Sequence, residues 1–539
     1  MRGTDTMIYD PLEEYDKRLR VLHSEKTGAF FDDLVKRSGV DAEKNRKTVL
    51  EYERCRESSK KLRTKRNWLR FLRVLLILTI LLIPLVILKL TPKIRALLAE
   101  IENADKKAEE LLKEAYSQMQ PLNSLFTDRD ALEIIEQTMP LLSYEPCFSV
   151  KQEADMMINY DFGGRESAEQ TTLDVLAGHY NDNPFLFENV RVHRMGTEVY
   201  HGYKTISWTE HYTDSNGKRR TRVRTQTLHA SVSKPKPFYS TQVVLNYCAQ
   251  GGPELSFTRD ATNLDEKNDR QIERYVKRGE RKLKRLTDKA VSENKDFVSM
   301  SNTDFEVLFD ALDRTDEVEF RTLFTPLAQT NMVDLIRSQV GYGDDFKFIK
   351  RKRTNKIVTE HSQGRKIKLY PEDYTSYSFD IIKESFNRKN TEYFKAVYFD
   401  FAPLWAIPMY QERPVHSLKP IPSYTQQYSV LECEALANML DKSHVIHPST
   451  KTEAIIKASY ISSNGKTDNT KISAYSYDMI PRVDIVRVWG GDGRCHNVSV
   501  PWEEYIPLEK HGEFGVCTDD AANGKSVLAR RGNLCIFKK

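Results

Sequence analysis

The sequence lacks the short motifs that mark common enzymes and metal sites. No Gly-x-Ser-x-Gly, His-Glu-x-x-His or calcium-loop pattern occurs among its 539 residues. The cluster Gly490–Gly493 lacks the Gly-Lys-Ser/Thr of a phosphate-binding loop, so a tight turn between strands is the better interpretation. The sequence therefore predicts no cofactor and identifies no catalytic residue.

Cysteine is also scarce. The chain has seven cysteines and no Cys-x-x-Cys pair. Cys55 precedes the one long apolar run, and the other six are spread over the long remainder of the chain. Six cysteines at that density are too few for a disulfide scaffold, so we expect unpaired, mostly buried thiols.

Neither sign of charge dominates. The 82 basic and 77 acidic residues leave a net charge of +5, which is small for this length and argues neither for nor against nucleic acid. Hydrophobic residues make up 40% and charged residues 29%, as in ordinary globular proteins. The mean hydropathy of −0.57 excludes a polytopic transporter.

Only one run, Trp68–Leu90, approaches the length of a membrane span; we call it the apolar segment. Its uncharged centre runs from Val74 to Leu88, and a spanning helix needs roughly 20 apolar residues. Trp68 suits the interface, and membrane helices tolerate a proline such as Pro84. The pattern predicts a transmembrane helix over residues 68–90; a buried core helix is the alternative.

Basic residues crowd the N-terminal flank of the apolar segment. Nine Lys or Arg lie within residues 54–73, against five within 89–107. This bias favours a cytoplasmic N-terminus with the large C-terminal body outside. The same charges suit anionic lipid headgroups, and the expected lipid-facing residues are Arg63, Lys65, Arg66, Arg70 and Arg73. Little aromatic patterning accompanies them, which argues against nucleic acid.

The periodicity predicts an α+β protein with the following regions: an N-terminal helical basic segment (1–66), the transmembrane helix (68–90), a helical stalk (91–143), an antiparallel β-rich domain (145–260), a charged helix with an α+β segment (261–340) and a C-terminal α+β domain (341–539). Near-heptad spacing in the stalk indicates either self-association through a coiled coil or packing on its own domain.

Two turn dipeptides predict β-hairpins, one at Asn216-Gly217 and one at Asn464-Gly465. The apolar and aromatic stretch Tyr393–Pro408 is typical of a buried strand. The run of Lys and Arg within Leu264–Lys295 predicts a helix with a solvated face, with a lipid-binding or nucleic-acid patch as the alternative.

One weak metal site can be assembled from the C-terminal region. Cys495, His511 and Cys517 carry a thiolate, an imidazole and a second thiolate that could bind zinc. Their spacing matches no common zinc module, and the adjacent pair Cys495-His496 suits one ion poorly. Ordinary packing of these side chains is therefore the favoured interpretation, and no metal site is predicted.

One segment carries a resemblance. It reads Asn302-Thr303-Asp304-Phe305-Glu306, then Asp316-Glu317-Val318-Glu319-Phe320-Arg321 and Leu323-Phe324-Thr325-Pro326, followed by an amphipathic helix. Over about residues 302–340 the chain resembles a bacterial family of membrane proteins of unknown function, which pair N-terminal membrane helices with an α/β domain. Relatives often have two spans, which would leave the body cytoplasmic. In this chain Val318, Phe320 and Leu323 are expected in the core.

These features favour a membrane-anchored bacterial protein whose α+β body serves in binding or assembly, with a lipid bilayer and a protein partner or second copy as its partners. Two alternatives stay open. A membrane-tethered enzyme would assemble its site from distant residues, and an anionic-lipid sensor would use the two basic runs.

Overall fold

The computed structural model describes residues 7–77, 89–163, 169–213, 215, 217–262, 264, 267–293, 299–338, 340–415, 419–465, 467–517 and 534–535. Over these residues the protein is a mixed α+β structure with antiparallel sheets, which confirms the predicted fold class at that level. The chain forms two compact units. Unit 1 comprises Met1–Leu12, Leu141–Ile367 and Phe399–Lys539, and unit 2 comprises Glu13–Pro140 and Lys368–Tyr398.

Unit 2 is helical in its described part. Its N-terminal portion contains a π-helical turn, Tyr15–Leu19, and the helices α2 Arg20–Ser38, α3 Ala42–Ile77, α4 Thr91–Asn123 and α5 Asp130–Thr138, after the short α1 Pro11–Glu14. Gly39 ends α2 in a left-handed conformation (φ 64°), and the Asp41 side chain accepts the Lys44 N–H at 3.0 Å. Glycine adopts the left-handed conformation without strain and aspartate caps helix starts, so these two residues end one helix and begin the next.

An aromatic core holds unit 2 together. Its buried residues are Phe31, Leu34, Met119, Leu122, Phe126, Ile134, Tyr374, Phe379, Ile382 and Phe386. Asn45 adds a polar link, because its amide donates to the Tyr377 carbonyl at 3.0 Å and its side-chain oxygen accepts the Phe379 N–H at 2.9 Å. Segment 368–398 therefore packs with the N-terminal helices, although it lies within the C-terminal domain predicted from the sequence.

Unit 1 contains two antiparallel sheets. The seven-stranded sheet has the order β1-β2-β3-β4-β7-β6-β5, and the four-stranded sheet has the order β11-β10-β9-β8. The strands are β1 Leu142–Tyr144, β2 Gln170–Tyr180, β3 Asn183–Thr213, β4 Arg219–Cys248, β5 Ser256–Arg259, β6 Phe346–Arg351, β7 Thr354–Thr359, β8 Ile455–Ser463, β9 Thr467–Trp489, β10 Cys495–Cys517 and β11 Leu534–Cys535.

Eight further α-helices follow β1 in the described part of the chain. They are α6 Val150–Tyr160, α7 Asp269–Ser292, α8 Thr303–Phe309, α9 Glu317–Leu323, α10 Pro326–Arg337, α11 Phe379–Trp405, α12 Val430–Met439 and α13 Lys442–Val445. Of these, α11 belongs to unit 2 up to Tyr398 and to unit 1 from Phe399. The predicted buried strand at Tyr393–Pro408 is wrong, because α11 continues through Trp405. Its side chains are buried on several faces, so the apolar run shows no helical period.

Two long β-ribbons dominate unit 1. Strands β3 and β4 pair from Phe185–Tyr247 out to Thr213–Arg219. The 31 residues of β3 span about 100 Å at the rise of an extended strand. Strands β9 and β10 pair along their whole length of 23 residues. Both predicted hairpins are present, and Gly217 (φ 77°) and Gly465 (φ 81°) supply the left-handed turn residues.

The two ribbons pack face to face. Their contact buries Ile206, Leu228, Ala230, Val498 and Val500. Gly202 lies where the backbones approach most closely, since a Cβ at this position would lie 2.3 Å from the Ser499 carbonyl oxygen. The absence of a side chain at Gly202 therefore permits the contact.

Gly202→Ala is expected to lower the free energy of unfolding by about 1–3 kcal/mol, because the added methyl group must push the ribbons apart. Gly512→Ala is the matched control, since the nearest atom to its new methyl group would be Ile472 Cγ1 at 3.5 Å. Thermal melting monitored by circular dichroism measures both variants. Equal melting temperatures for the two variants would contradict the close-approach argument.

The segment that carries the family resemblance is a core element. Phe305, Phe309, Phe320 and Phe324 pack around Phe257 of β5, with ring centroids 4.7–6.4 Å apart. The polar residues of the segment begin its helices. Asn302, Asp316 and Thr325 accept backbone N–H groups at the starts of α8, α9 and α10. The prediction that Val318 lies in the core is wrong, because its side chain is 74% exposed.

Arg314 makes a buried ion-pair cluster beside these rings. Its guanidinium donates to Glu306 at 2.5 Å and to Glu317 at 2.9 Å, and it lies 4.4 Å from the Phe320 ring centroid. The side chains of Arg314 and Glu306 are each 1% exposed. The Glu of the resembled motif therefore has a structural partner in this chain.

Candidate functional site

Helices α3 and α4 of unit 2 form an antiparallel pair. Residues early in α3 contact residues late in α4, as in the hydrogen bond of 3.0 Å from the Gln118 amide to the Thr48 hydroxyl. Further along α3, Ser59 and Arg63 donate to Asp105 at 2.5 and 2.7 Å. The stalk helix thus packs against the helix that precedes the apolar segment, which favours packing on its own domain over a self-associating coiled coil.

The residues that border the apolar segment are cationic on both sides. We call residues 58–77 and 89–99 the hairpin end. Between Glu57 and Glu100 the sequence has no Asp or Glu and ten Lys or Arg: Lys60, Lys61, Arg63, Lys65, Arg66, Arg70, Arg73, Lys89, Lys93 and Arg95. Further from this end, acids and bases alternate along α4 and pair with each other, as Lys113 does with Glu109 at 2.7 Å.

Large apolar side chains are exposed at the same place. Trp68, Phe71 and Val74 are 61%, 67% and 63% exposed, and their three-residue spacing places them on one face of α3. Of the predicted lipid-facing residues, Lys65 and Arg70 are exposed, whereas Arg66 and Arg73 are partly buried. Arg63 has a protein partner, since it pairs with Asp105. The predicted basic residues and interfacial aromatics therefore share one helix end.

The predicted transmembrane helix is only partly covered by the structure. Residues 78–88, which include the predicted anchor residues Pro84 and Leu88, lie outside the described residues. In the part of the chain that is described, no helix has both the length and the apolar character to cross a membrane. The described part of α3 ends at Ile77 and α4 begins at Thr91.

The weak zinc candidates do not come together. Cys495 and Cys517 stand at opposite ends of β10, which separates them by about 70 Å at the rise of an extended strand. His511 instead contacts Ser473 at 2.9 Å and Glu509 at 3.2 Å. Within the described residues no group of three His, Cys, Asp or Glu side chains could hold a metal ion. Among the described residues, Cys55, Cys248, Cys433 and Cys495 are free thiols.

Unit 1 contains a cavity of about 440 Å³ that the sequence does not predict. Helices α6 and α12 and strands β2, β3, β4, β6, β7 and β8 contribute to its walls. Apolar side chains form much of the lining: Met157, Phe162, Ile349, Val430, Leu431 and Tyr460. A cavity of this volume is within the range of small-molecule sites.

Three polar side chains from neighbouring strands lie side by side at this cavity. Asn246 of β4 pairs with Leu186 of β3 and with Lys356 of β7. Glu188 lies two residues beyond Leu186, so Glu188, Asn246 and Lys356 share one face. The Asn246 amide donates to Glu188 at 2.5 Å.

The cavity shifts the proton affinity of Glu188. The pKa of Glu188 is raised to about 7. Burial is the largest cause and the nearby carboxylate of Glu434 adds to the rise, whereas the cations Lys356 and Lys457 and the Asn246 amide oppose it. Glu434 is itself fully buried, accepts the Thr172 N–H at 2.7 Å and pairs with Lys457 at 3.4 Å. Near neutral pH Glu188 therefore exchanges between a carboxylate and a neutral O–H donor.

One signal for this cavity is present in the sequence. Glu188 stands between the buried Leu186 and Val190 on the inward face of β3, and Asn246 stands between Val244 and Cys248 on β4. A polar residue in phase with buried neighbours marks an interior polar site. The pairing of β4 with the distant β7, which adds Lys356, has no counterpart in local periodicity.

Comparison with known proteins gives no further guide, since no protein-family model, curated protein or solved structure matches this chain. The resemblance at residues 302–340 stays a prediction. The hairpin end and the cavity are therefore the two features of the molecule that bear on its function.

Proposed function

We propose that this protein is a membrane-associated binding protein, held to an anionic bilayer by the hairpin end, with unit 1 as its binding body. The observation that carries the proposal is the antiparallel pairing of α3 and α4 around an acid-free cationic end. Lys and Arg near an anionic surface contribute about 1 kcal/mol each. Exposed Trp68 and Phe71 add aromatic side chains of the kind that prefer the interface.

The pairing also bears on sidedness. Ser59 precedes the apolar segment and Asp105 follows it, yet the two side chains are hydrogen-bonded. Two residues in contact lie on one side of a bilayer, so we propose that both flanks of the apolar segment lie on the same face. The excess of Lys and Arg favours the cytoplasmic face. This is the orientation expected from an even number of crossings rather than from a single pass.

Vesicle flotation of the full chain tests the proposal. We expect the wild-type protein to float with phosphatidylcholine vesicles and more completely when they contain phosphatidylglycerol. Replacing Lys65, Arg66, Arg70 and Arg73 with glutamine is expected to lower affinity for the anionic vesicles by about tenfold or more, because four charges leave the interface. Affinity for the neutral vesicles should change little.

The matched control removes a second basic run. Lys277, Arg278, Arg281 and Lys282 lie on the exposed face of α7, whose Ile272, Val276 and Leu283 are buried. Replacing these four with glutamine should leave flotation unchanged. Loss of flotation in this variant, with retention in the first, would overturn the proposal and favour lipid sensing through α7.

A further inference from the structure

The charges around the cavity of unit 1 are unequally compensated. Asp161 pairs with Arg353 at 2.8 Å, and Glu153 accepts the Val430 N–H at 3.3 Å. Lys457 pairs with the fully buried Glu434. The acids of α6 and the cation of β8 therefore already have partners in the protein.

Lys356 is different. Its ammonium group makes no hydrogen bond or ion pair of 4.0 Å or less within the described residues, although its charge acts on Glu188. Glu188 is ionised only part of the time near neutral pH. Lys356 thus presents a positive charge that no fully ionised carboxylate of the protein balances.

A second cation on the lining, Arg351, differs from Lys356 in exposure, and water and salt screen the charge of an exposed side chain more than that of a partly buried one. Arg351 of β6 donates to the carbonyl groups of Phe257 and Lys350 at 3.3 and 3.0 Å and is exposed. The titratable and charged groups that act on Glu188 or line the cavity with it are Lys356, Lys457, Glu434, Arg351, Glu153, Asp161 and Tyr460. Lys356 and Lys457 would repel a cationic ligand. A single anionic group, in contrast, would balance the charge of Lys356.

The rest of the lining selects the body of the ligand. Phe162 and Leu431 are at most 9% exposed and belong to an apolar cluster with Met156 and Val175. Met157, on the same helix as Met156, is half exposed and lines the cavity. These side chains offer an apolar surface to a hydrocarbon or aromatic chain, which gains free energy from the area it buries.

We propose that the cavity of unit 1 binds an amphipathic monocarboxylate, whose carboxylate group lies at Lys356 and Glu188 and whose apolar chain lies along Phe162, Leu431 and Met157. A single negative charge matches the ammonium group of Lys356, which is partly buried and has no ion-pair partner of 4.0 Å or less within the described residues. The neutral carboxyl of Glu188 donates its O–H to the ligand carboxylate, and Asn246 holds Glu188 in place. The proposal concerns the binding body of the proposed function and does not depend on membrane attachment.

Binding of the anion is linked to proton uptake. A ligand carboxylate next to Glu188 favours the protonated form of Glu188, so affinity falls as pH rises through the pKa of Glu188, which is about 7. Between pH 6 and pH 8 the dissociation constant is expected to rise about tenfold, if the bound complex keeps its proton throughout. Glu188→Gln, which keeps a neutral donor, should bind with little dependence on pH.

Calorimetric titration of the purified full chain in lipid-free buffer tests the proposal, with octanoate as the probe. Lys356→Met is expected to weaken octanoate binding about tenfold or more, because the charged partner is lost. Lys347→Met is the matched control in the same sheet, since Lys347 pairs with Asp260 at 2.6 Å and does not line the cavity.

One neutral probe, octan-1-ol, and one cationic probe, octylamine, complete the test. Octan-1-ol and octylamine should bind at least about tenfold more weakly than octanoate to the wild-type protein at pH 6. Equal binding of octan-1-ol, octanoate affinity that Lys356→Met leaves unchanged, or no octanoate binding would overturn the proposal. Because these readouts do not involve vesicles, they are separate from failure of the membrane proposal in flotation.

Discussion

Replacing Arg314 with methionine is expected to lower the free energy of unfolding by about 3–5 kcal/mol, because the change leaves Glu306 buried without its cation. Arg314 donates to both Glu306 and Glu317, and the Arg314 and Glu306 side chains are each 1% exposed. The loss also removes the stacking of the guanidinium over Phe320. Denaturant unfolding followed by circular dichroism measures the effect.

The cost of this substitution depends on pH in a fixed direction. Burial raises the pKa of Glu306, and the charge of Arg314 opposes that rise. Without Arg314 the pKa of Glu306 rises further. Stability from the protonated carboxyl is present at low pH and lost as pH rises through the folded-state pKa, so the variant differs least from wild type in acid and most at neutral and alkaline pH.

Two comparisons separate the ion pair from nonspecific damage. Arg321→Met removes an exposed arginine from α9 and should change the free energy of unfolding by less than about 0.5 kcal/mol. Adding Glu306→Leu to Arg314→Met should restore part of the loss, because the more deeply buried of the two carboxylates that paired with Arg314 is then removed. A double variant less stable than Arg314→Met at neutral pH would contradict the buried-charge explanation.

The parts of the fold that the sequence predicts are those that local chemistry determines. Asn216-Gly217 and Asn464-Gly465 fix hairpins because glycine adopts the left-handed turn conformation at no cost. Gly39 and Asp41 end one helix and begin the next. The stretch at Tyr393–Pro408 fails for the opposite reason, since a helix buried on several faces has no polar side and its sequence resembles a buried strand.

The candidate sites divide in the same way. The hairpin end is visible in the sequence because its basic and aromatic residues are neighbours along one helix. The cavity is not, because Glu188, Asn246 and Lys356 meet only after β4 pairs with a strand that follows more than 100 residues later. The weak zinc candidates Cys495 and Cys517 do not meet, because the whole length of one strand separates them.

Cysteine labelling in bacterial cells should show that both flanks of the apolar segment are equally accessible. Cys55 reports on the N-terminal flank, and Lys113→Cys, at a side chain that is 74% exposed, reports on the C-terminal flank within the same unit. Because Ser59 and Arg63 contact Asp105, the two reporters belong to one antiparallel pair. A membrane-impermeant maleimide should therefore label neither in intact cells and both after lysis.

The design requires a chain in which the two reporters are the accessible thiols. Alanine replaces Cys147, Cys495, Cys517 and Cys535, while the buried Cys248 and Cys433 are kept. One version has Cys55 alone, and the other has Cys55→Ala with Lys113→Cys. A single crossing would protect one reporter and expose the other, which is incompatible with the hydrogen bond between Ser59 and Asp105. Labelling of both in intact cells would keep the shared face and reverse the cytoplasmic assignment, so the result separates the geometry of the helix pair from the charge rule used to orient it.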